Sequence, residues 1–148
     1  MLKHIDPILI PDLLYGLAKM GHGDTVVVAD RNFPAFAAGA PVVALAGVDA
    51  VEAVAAICSV MPLDRFVDQP LAAMAPTGGG ALSPATGAVE AVAERAEGRS
   101  VKARPVERFD FYRESRSAAL VVATGESRPY GCYILQKGVW PPLSPEPS

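Results

Sequence analysis

The sequence predicts an α/β fold, a mainly parallel sheet flanked by helices, on three observations. Apolar runs of four to six residues, bounded by turn residues, read as strands at 25–29, 42–45, 71–75, 118–123 and 133–136. Segments with helical spacing and recognisable caps lie between them, and that alternation implies parallel pairing with helices packed on the sheet. The chain has 148 residues, 51% of them apolar, which is enough to bury one core. No repeat or linker interrupts residues 1–140, so one domain is expected.

The elements follow in order. Pro11 suits a first helical turn, Asp12 adds a favourable charge there, and Leu13, Leu14, Leu17 and Ala18 form one apolar face. Gly21 is the expected stop. Thr25 to Ala29 is a buried strand, and residues 31–41, with Phe33 and Phe36, form an irregular loop before the strand at 42–45. Asp49 and Glu52 pair like a capping box. The helix they open carries Val51, Val54, Ala55, Cys58 and Met61 on one side and stops at Pro62. A strand at 71–75 leads to the flexible Pro76–Gly80 loop. Ser83-Pro84 predicts a cap and first turn for a helix over 84–96, closed by Gly98. A weak strand is expected at 101–106, a short helix at 107–115, strands at 118–123 and 133–136, and a Gly/Pro-punctuated turn between them. The last eight residues hold four prolines and read as a flexible tail over 141–148.

Composition removes several function classes. The 13 Lys and Arg against 16 Asp and Glu are scattered, and phosphate binding needs clustered cations, so no nucleic-acid partner is expected. No apolar run spans a bilayer and the first residues lack a signal-peptide core, so no membrane partner is expected and a cytoplasmic location is. Cys58 and Cys132 sit in apolar runs and read as reduced core thiols. No His/Cys cluster has zinc spacing, no Gly-rich stretch matches a P-loop or dinucleotide fingerprint, and no nucleophile elbow occurs. No metal and no cofactor is therefore expected.

The stretch Met20 to Asp30 concentrates the remaining chemistry. His22 lies between Gly21 and Gly23, Asp24 follows, and Asp30 sits where the first strand emerges. Ligands of open α/β sheets bind outside the carboxyl ends of strands, so His22 and Asp30 are expected to share one pocket. A neutral imidazole can give or take a proton near pH 7, with Asp24 or Asp30 to orient it. The plain alternative is a turn histidine bonded to a neighbouring carbonyl. Arg108 and Tyr112 are one helical turn apart and Tyr130 lies in a Pro-Gly turn. With an aspartate and a histidine they suit a neutral, hydroxyl-rich ligand. Taken singly, they also read as a surface charge and core-rim aromatics.

Several of these residues together resemble the bacterial fucose mutarotase family. They are Met1-Leu2-Lys3, Ala18 through Asp24, Ala29-Asp30 through Phe33-Pro34, Arg108-Phe109-x-Phe111-Tyr112, Thr124-Gly125-Glu126 and Tyr130-Gly131. The likeness covers residues 1 to about 140. It extends to the related D-ribose pyranases, while the Arg-Phe-x-Phe-Tyr segment favours the fucose branch. The resemblance implies a mutarotase/ribose-pyranase-like fold and a sugar isomerase. Such an enzyme would interconvert α and β anomers of L-fucose, or pyranose and furanose forms of other monosaccharides. It also implies cyclic homo-oligomers with sites near subunit contacts. His22 matches the family's proton donor. Asp30, Arg108, Tyr130 and Gly131 match substrate-binding positions, and Tyr112 joins them as a pocket candidate. Where the family usually has asparagine after Tyr-Gly, this chain has Cys132, a weaker hydrogen-bonding group.

The chemistry fits these residues in its own right. Ring opening of a hemiacetal needs a proton delivered to the ring oxygen and one removed from the anomeric hydroxyl, with no redox cofactor or covalent intermediate. The alternative reading is a non-catalytic monosaccharide-binding accessory or sensor. A small structural subunit stands third.

Overall fold

Val26, Val27 and Val28 are wholly buried and form the middle of a six-stranded sheet in a computed structural model that describes residues 1–143. The expected flexible tail therefore lies, from residue 144 on, outside the described residues. In chain order the elements are α1 (Pro11–Lys19), β1 (Thr25–Ala29), β2 (Val42–Leu45), α2 (Ala50–Cys58), β3 (Leu71–Ala75), α3 (Thr86–Glu97), β4 (Arg104–Glu107), α4 (Arg108–Ser115), β5 (Leu120–Thr124) and β6 (Tyr133–Gln136). The strand order is β2-β5-β1-β6-β3-β4. β5 pairs parallel with β1 and β2, and β3 with β4. β6 alone runs antiparallel, between β1 and β3. The sheet is thus mixed and mostly parallel, and five strands end at one common edge.

Alternation along β1 sends successive side chains to opposite faces. Val26 and Val28 join Leu120, Val122 and Leu135 beneath α1, α2 and α3, which contribute Leu13, Leu17, Ile57 and Val89. Val27 and Ala29 join Val121, Met74 and Ile134 on the other face, covered by Phe111 of α4 and Ala35 of the 31–41 loop. Both faces of the central strands are buried, which is why they read as continuous apolar runs rather than alternating ones.

Helix ends agree with local chemistry in part. Pro11 opens α1, the Asp49 carboxylate accepts from the Glu52 amide at 2.8 Å at the start of α2, and Gly98 closes α3 with φ 69°. Two expectations are corrected. The left-handed glycine of the His22 turn is Gly23, φ 87°, whereas α1 ends on an extended Met20 rather than a left-handed Gly21. Ser83 does not cap α3: its Oγ accepts from the Ala85 amide at 3.2 Å in a tight local turn, and the helix starts at Thr86.

Two strands begin later than the apolar runs suggest. The amides of Val101 and Ala103 donate to the Glu94 and Glu90 carboxylates of α3, so they are absent from the sheet ladder and β4 starts at Arg104. Ala118 closes the turn after α4 on Ser115 O, which delays β5 to Leu120.

Close packing at the end of β5 depends on one missing Cβ. A methyl group at Gly125 would lie 2.0 Å from the Ala46 carbonyl oxygen, with the Gly125 amide already bonded to Val48 O at 2.8 Å. Backbone, not a flexible side chain, is the obstacle. Gly125→Ala is expected to lower unfolding free energy by about 3 kcal/mol, the upper range for overpacking. Urea denaturation measures it, and a loss below about 1 kcal/mol would contradict the packing described.

Candidate active site

Five strands end at one edge of the sheet, and there the loops build a cavity of about 210 Å³. Asp30 follows β1, Met74 is the last residue but one of β3, Arg108 and Tyr112 belong to α4 immediately after β4, Tyr130 follows β5, and Cys132 precedes the reversed β6. All six line the cavity together with Asn32, Phe33 and Pro129. Gly131, between Tyr130 and Cys132, is buried and has no side chain to offer. The structure therefore brings together Asp30, Arg108, Tyr112, Tyr130 and Cys132.

Each polar group is aimed by a specific contact. Asp30 Oδ1 accepts from the Asn32 amide at 3.0 Å, which fixes the carboxylate and leaves Oδ2 free of that turn. Arg108 Nε donates to Tyr112 Oη at 2.9 Å, and among the described residues its two terminal nitrogens have no protein acceptor. That hydrogen bond, then the partial negative charge of the phenol, raises the Arg108 pKa further above its already high value. The guanidinium stays charged at any working pH. Phe33 packs edge-on against Tyr112 with centroids 5.7 Å apart and backs this wall. The floor is Met74 and Cys132, 4% and 1% exposed. Cys132 Sγ accepts from the Asp30 amide at 3.3 Å, and burial first, then the nearby Asp30 charge, push its thiol pKa well up. It is a neutral, unreactive part of the wall.

His22 is not in that cavity, which corrects the expectation of one shared pocket within one chain. β1 is five residues long, so the aspartates that flank it, Asp24 and Asp30, are about 20 Å apart at a rise of ~3.3 Å per residue. His22 lies beyond the Asp24 end, at the opposite edge of the sheet. Its turn is held firmly: Gly23 N donates to Lys137 O, Lys137 N to Asp24 O, Gly21 N to Asp24 Oδ2, and the Lys137 ammonium to Met20 O. Asp24 thus stabilises the turn and does not orient the imidazole.

The orienting carboxylate is Asp64, from a loop 42 residues away. His22 Nε2 lies 3.1 Å from Asp64 Oδ1. A carboxylate oxygen only accepts, so Nε2 carries the hydrogen and Nδ1 is the ring atom left for a ligand. Asp64 is 2% exposed and further fixed by the Phe66 amide on Oδ1 at 2.9 Å and Gln136 Nε2 on Oδ2 at 3.0 Å. The imidazole itself is nearly half exposed and rests against the Phe66 ring, centroids 5.4 Å apart. This is a histidine positioned by a buried acid and presented outward.

These two sites meet a sharp comparison. A profile of the RbsD / FucU transport protein family matches residues 3–140. The chain belongs to this family. It is 41% identical over 145 residues to the L-fucose mutarotase of Haemophilus influenzae, covering 97% of this chain and all of that one. It is 39% identical over 145 residues to the human fucose mutarotase, covering 93% and 94%. The crystal structure of the fucose mutarotase from Streptococcus pneumoniae in complex with L-fucose superposes with a TM-score of 0.87 at 37% identity, covering 93% of this chain and 99% of that one.

In this RbsD / FucU family member, sequence reasoning missed Asp64 and Met74. Asp64 sits in Pro62-Leu63-Asp64-Arg65-Phe66, after a helix end, with no motif to mark it. The reversed strand brings its loop to His22: Asp64 N bonds Gln136 O, Leu63 bridges Lys137, and Lys137 holds the His22 turn. Met74 lay inside a predicted strand and gave no sign of facing a ligand. Among the described residues no three His, Cys, Asp or Glu side chains converge as a metal-ligand set, and no helix is long and apolar enough to cross a membrane.

Proposed function

We propose that this protein is a cytoplasmic sugar mutarotase that interconverts the α and β anomers of L-fucose, with each site completed by two copies of the chain. The observation that carries this reading is the separation of the Asp30–Arg108 cavity, which holds no histidine, from the outward-facing His22–Asp64 pair, which lies outside it. Joined across a subunit contact, the two make one acid–base site. Relatives that are fucose mutarotases support the reaction, and a relative holding L-fucose supports the sugar.

The roles follow from the geometry. Asp30 Oδ2 accepts from sugar hydroxyls, the terminal nitrogens of Arg108 donate to them, and Tyr112 and Tyr130 do both. The floor of Met74 and Cys132 offers no strong hydrogen-bonding group and suits a deoxy carbon such as the C6 methyl of L-fucose. His22 of a second copy, as the imidazolium, gives its Nδ1 proton to the ring oxygen as the bond from that oxygen to the anomeric carbon breaks, and the anomeric hydroxyl gives its proton to solvent water at the open cavity. The C–C bond of the aldehyde rotates, the chain hydroxyl re-adds to the carbonyl and returns its proton to Nδ1, and water reprotonates the new anomeric oxygen. Asp64 stabilises the imidazolium before opening and after reclosure.

Surface chemistry supports the contact. Beside His22, Phe66, Trp140 and Leu143 are 64%, 75% and 58% exposed. With Val60 and Met61 they line a 370 Å³ hollow. Near the sugar cavity, Phe36 and Phe109 are likewise exposed. Apolar surface of this kind marks association. We read the contact as head-to-tail, the cavity face of one copy on the His22 face of the next, a contact that gives a ring where its rotation closes.

Saturation-transfer NMR of L-fucose tests the reading, with D-ribose, L-rhamnose and D-galactose for comparison. The expected result is faster exchange between anomer signals, most strongly for L-fucose. Binding with no faster exchange would instead establish a sensor or accessory protein.

A further inference from the structure

We infer that Glu126 is a positioning residue for the sugar cavity, holding Asp30 through its backbone and the Tyr130 turn through its carboxylate. This rests on the cavity being the sugar site. Glu126 does not line that cavity, and it is 2% exposed. A buried acid on a loop needs a partner. It has one of unusual closeness in sequence: Oε1 accepts from Arg128 Nη2 at 2.7 Å, and Oε2 accepts from Arg128 Nε at 3.1 Å and from the Arg128 amide at 3.2 Å. Burial alone would raise this carboxyl, but the Arg128 side-chain and backbone bonds outweigh it and hold the pKa below the ordinary range.

The consequence for the chain path is local and directional. The fork draws Arg128 back over Glu126, and Gly131 N bonds to Arg128 O at 3.2 Å. Gly131 then passes so near the Glu126 side chain that a Cβ there would lie 2.7 Å from Glu126 Cγ. Between them Tyr130 adopts φ 59°, a left-handed conformation uncommon for a tyrosine. The turn keeps Tyr130 in that state because residues on both sides are tied to Glu126.

The backbone of the same residue brackets Asp30. Glu126 N donates to Thr124 Oγ1 at 3.1 Å, and Thr124 Oγ1 donates to Ala29 O at 2.7 Å. Glu126 O accepts from Arg31 N at 3.0 Å. The residues before and after Asp30 are therefore both joined to residue 126, while Asp30 itself faces the sugar. The Thr124-Gly125-Glu126 motif thereby acquires a function: it sets the spacing between Asp30 and Tyr130.

Glu126→Gln tests this, because it keeps the volume and the backbone bonds but turns a donor amide toward Arg128. The expected result is a folded protein whose KM for L-fucose rises about tenfold while kcat falls less than about threefold, as for a lost binding geometry with intact acid–base groups. The ¹H–¹⁵N spectrum should show the amides of Tyr130, Gly131 and Asp30 displaced and those of α1 and α3 unmoved. A Glu126→Gln protein with wild-type KM and unmoved Tyr130 and Gly131 amides would overturn the inference. Arg128→Gln removes the same fork from its more exposed partner and gives the same readouts if Glu126→Gln fails to fold. Should the wild-type protein accelerate no sugar exchange at all, the mutarotase reading fails, and the amide displacements alone then decide the role of Glu126.

Discussion

His22→Ala should reduce acceleration of L-fucose anomer exchange by on the order of 10²–10⁴-fold, the range for loss of one general acid–base group. Sugar binding should change little, since the role proposed for the imidazole is to supply the proton rather than the hydroxyl contacts. The matching variant Arg108→Ala should instead weaken binding. Mixing the two gives the discriminating measurement. If His22 of one copy serves the Asp30 cavity of another, co-assembled His22→Ala and Arg108→Ala chains regain intact sites at about a quarter of random head-to-tail contacts. At a sugar concentration too low to fill the Arg108→Ala sites, the co-refolded mixture would exceed the summed activity of the two preparations. Failure to exceed that sum, with mixed oligomers demonstrated, would exclude a shared site.

The second large effect belongs to Asp64. Asp64→Asn keeps the shape but replaces an oxygen acceptor with a group that can present an amide hydrogen to His22 Nε2. The ring then loses the partner that fixes its tautomer and offsets its charge when protonated. The expected loss in kcat is on the order of 10²-fold or more, with KM within about threefold, because most of the general-acid contribution depends on that orientation. Steady-state kinetics with L-fucose check it. An Asp64→Asn enzyme with unchanged kcat would assign the proton transfer to another group.

Much of the frame was legible because each signal was local. Pro11, the Asp49–Glu52 pair and Gly98 mark helix ends through contacts with their own neighbours. The buried strands read correctly because both faces of β1 and β5 are covered, which makes them uniformly apolar. The rule that ligands gather at carboxyl ends of strands pointed to Asp30, and helical spacing put Arg108 and Tyr112 on one side of α4, where both line the same cavity.

The failures share one origin. Ser83 and Gly21 were assigned from residue type, yet the local backbone used Ser83 in a two-residue turn and gave the left-handed state to Gly23. Asp64 was invisible because its link to His22 passes through β6, whose reversed direction no periodicity records. The expectation that His22 and Asp30 share a pocket ignored the length of the strand between them. That sum could have been done from sequence: a five-residue strand cannot bring the positions before and after it together.

β6 carries a final consequence. Its first flanking residue, Cys132, floors the Asp30–Arg108 cavity, and its last residue and the next, Gln136 and Lys137, brace the carboxylate and loop that present the imidazole. A shift of this short segment by one residue would invert which side chains face each layer and displace both poles together. The His22 turn and the Asp30 cavity are mechanically one part, so the polypeptide has no route by which β6 slippage disables the first and spares the second.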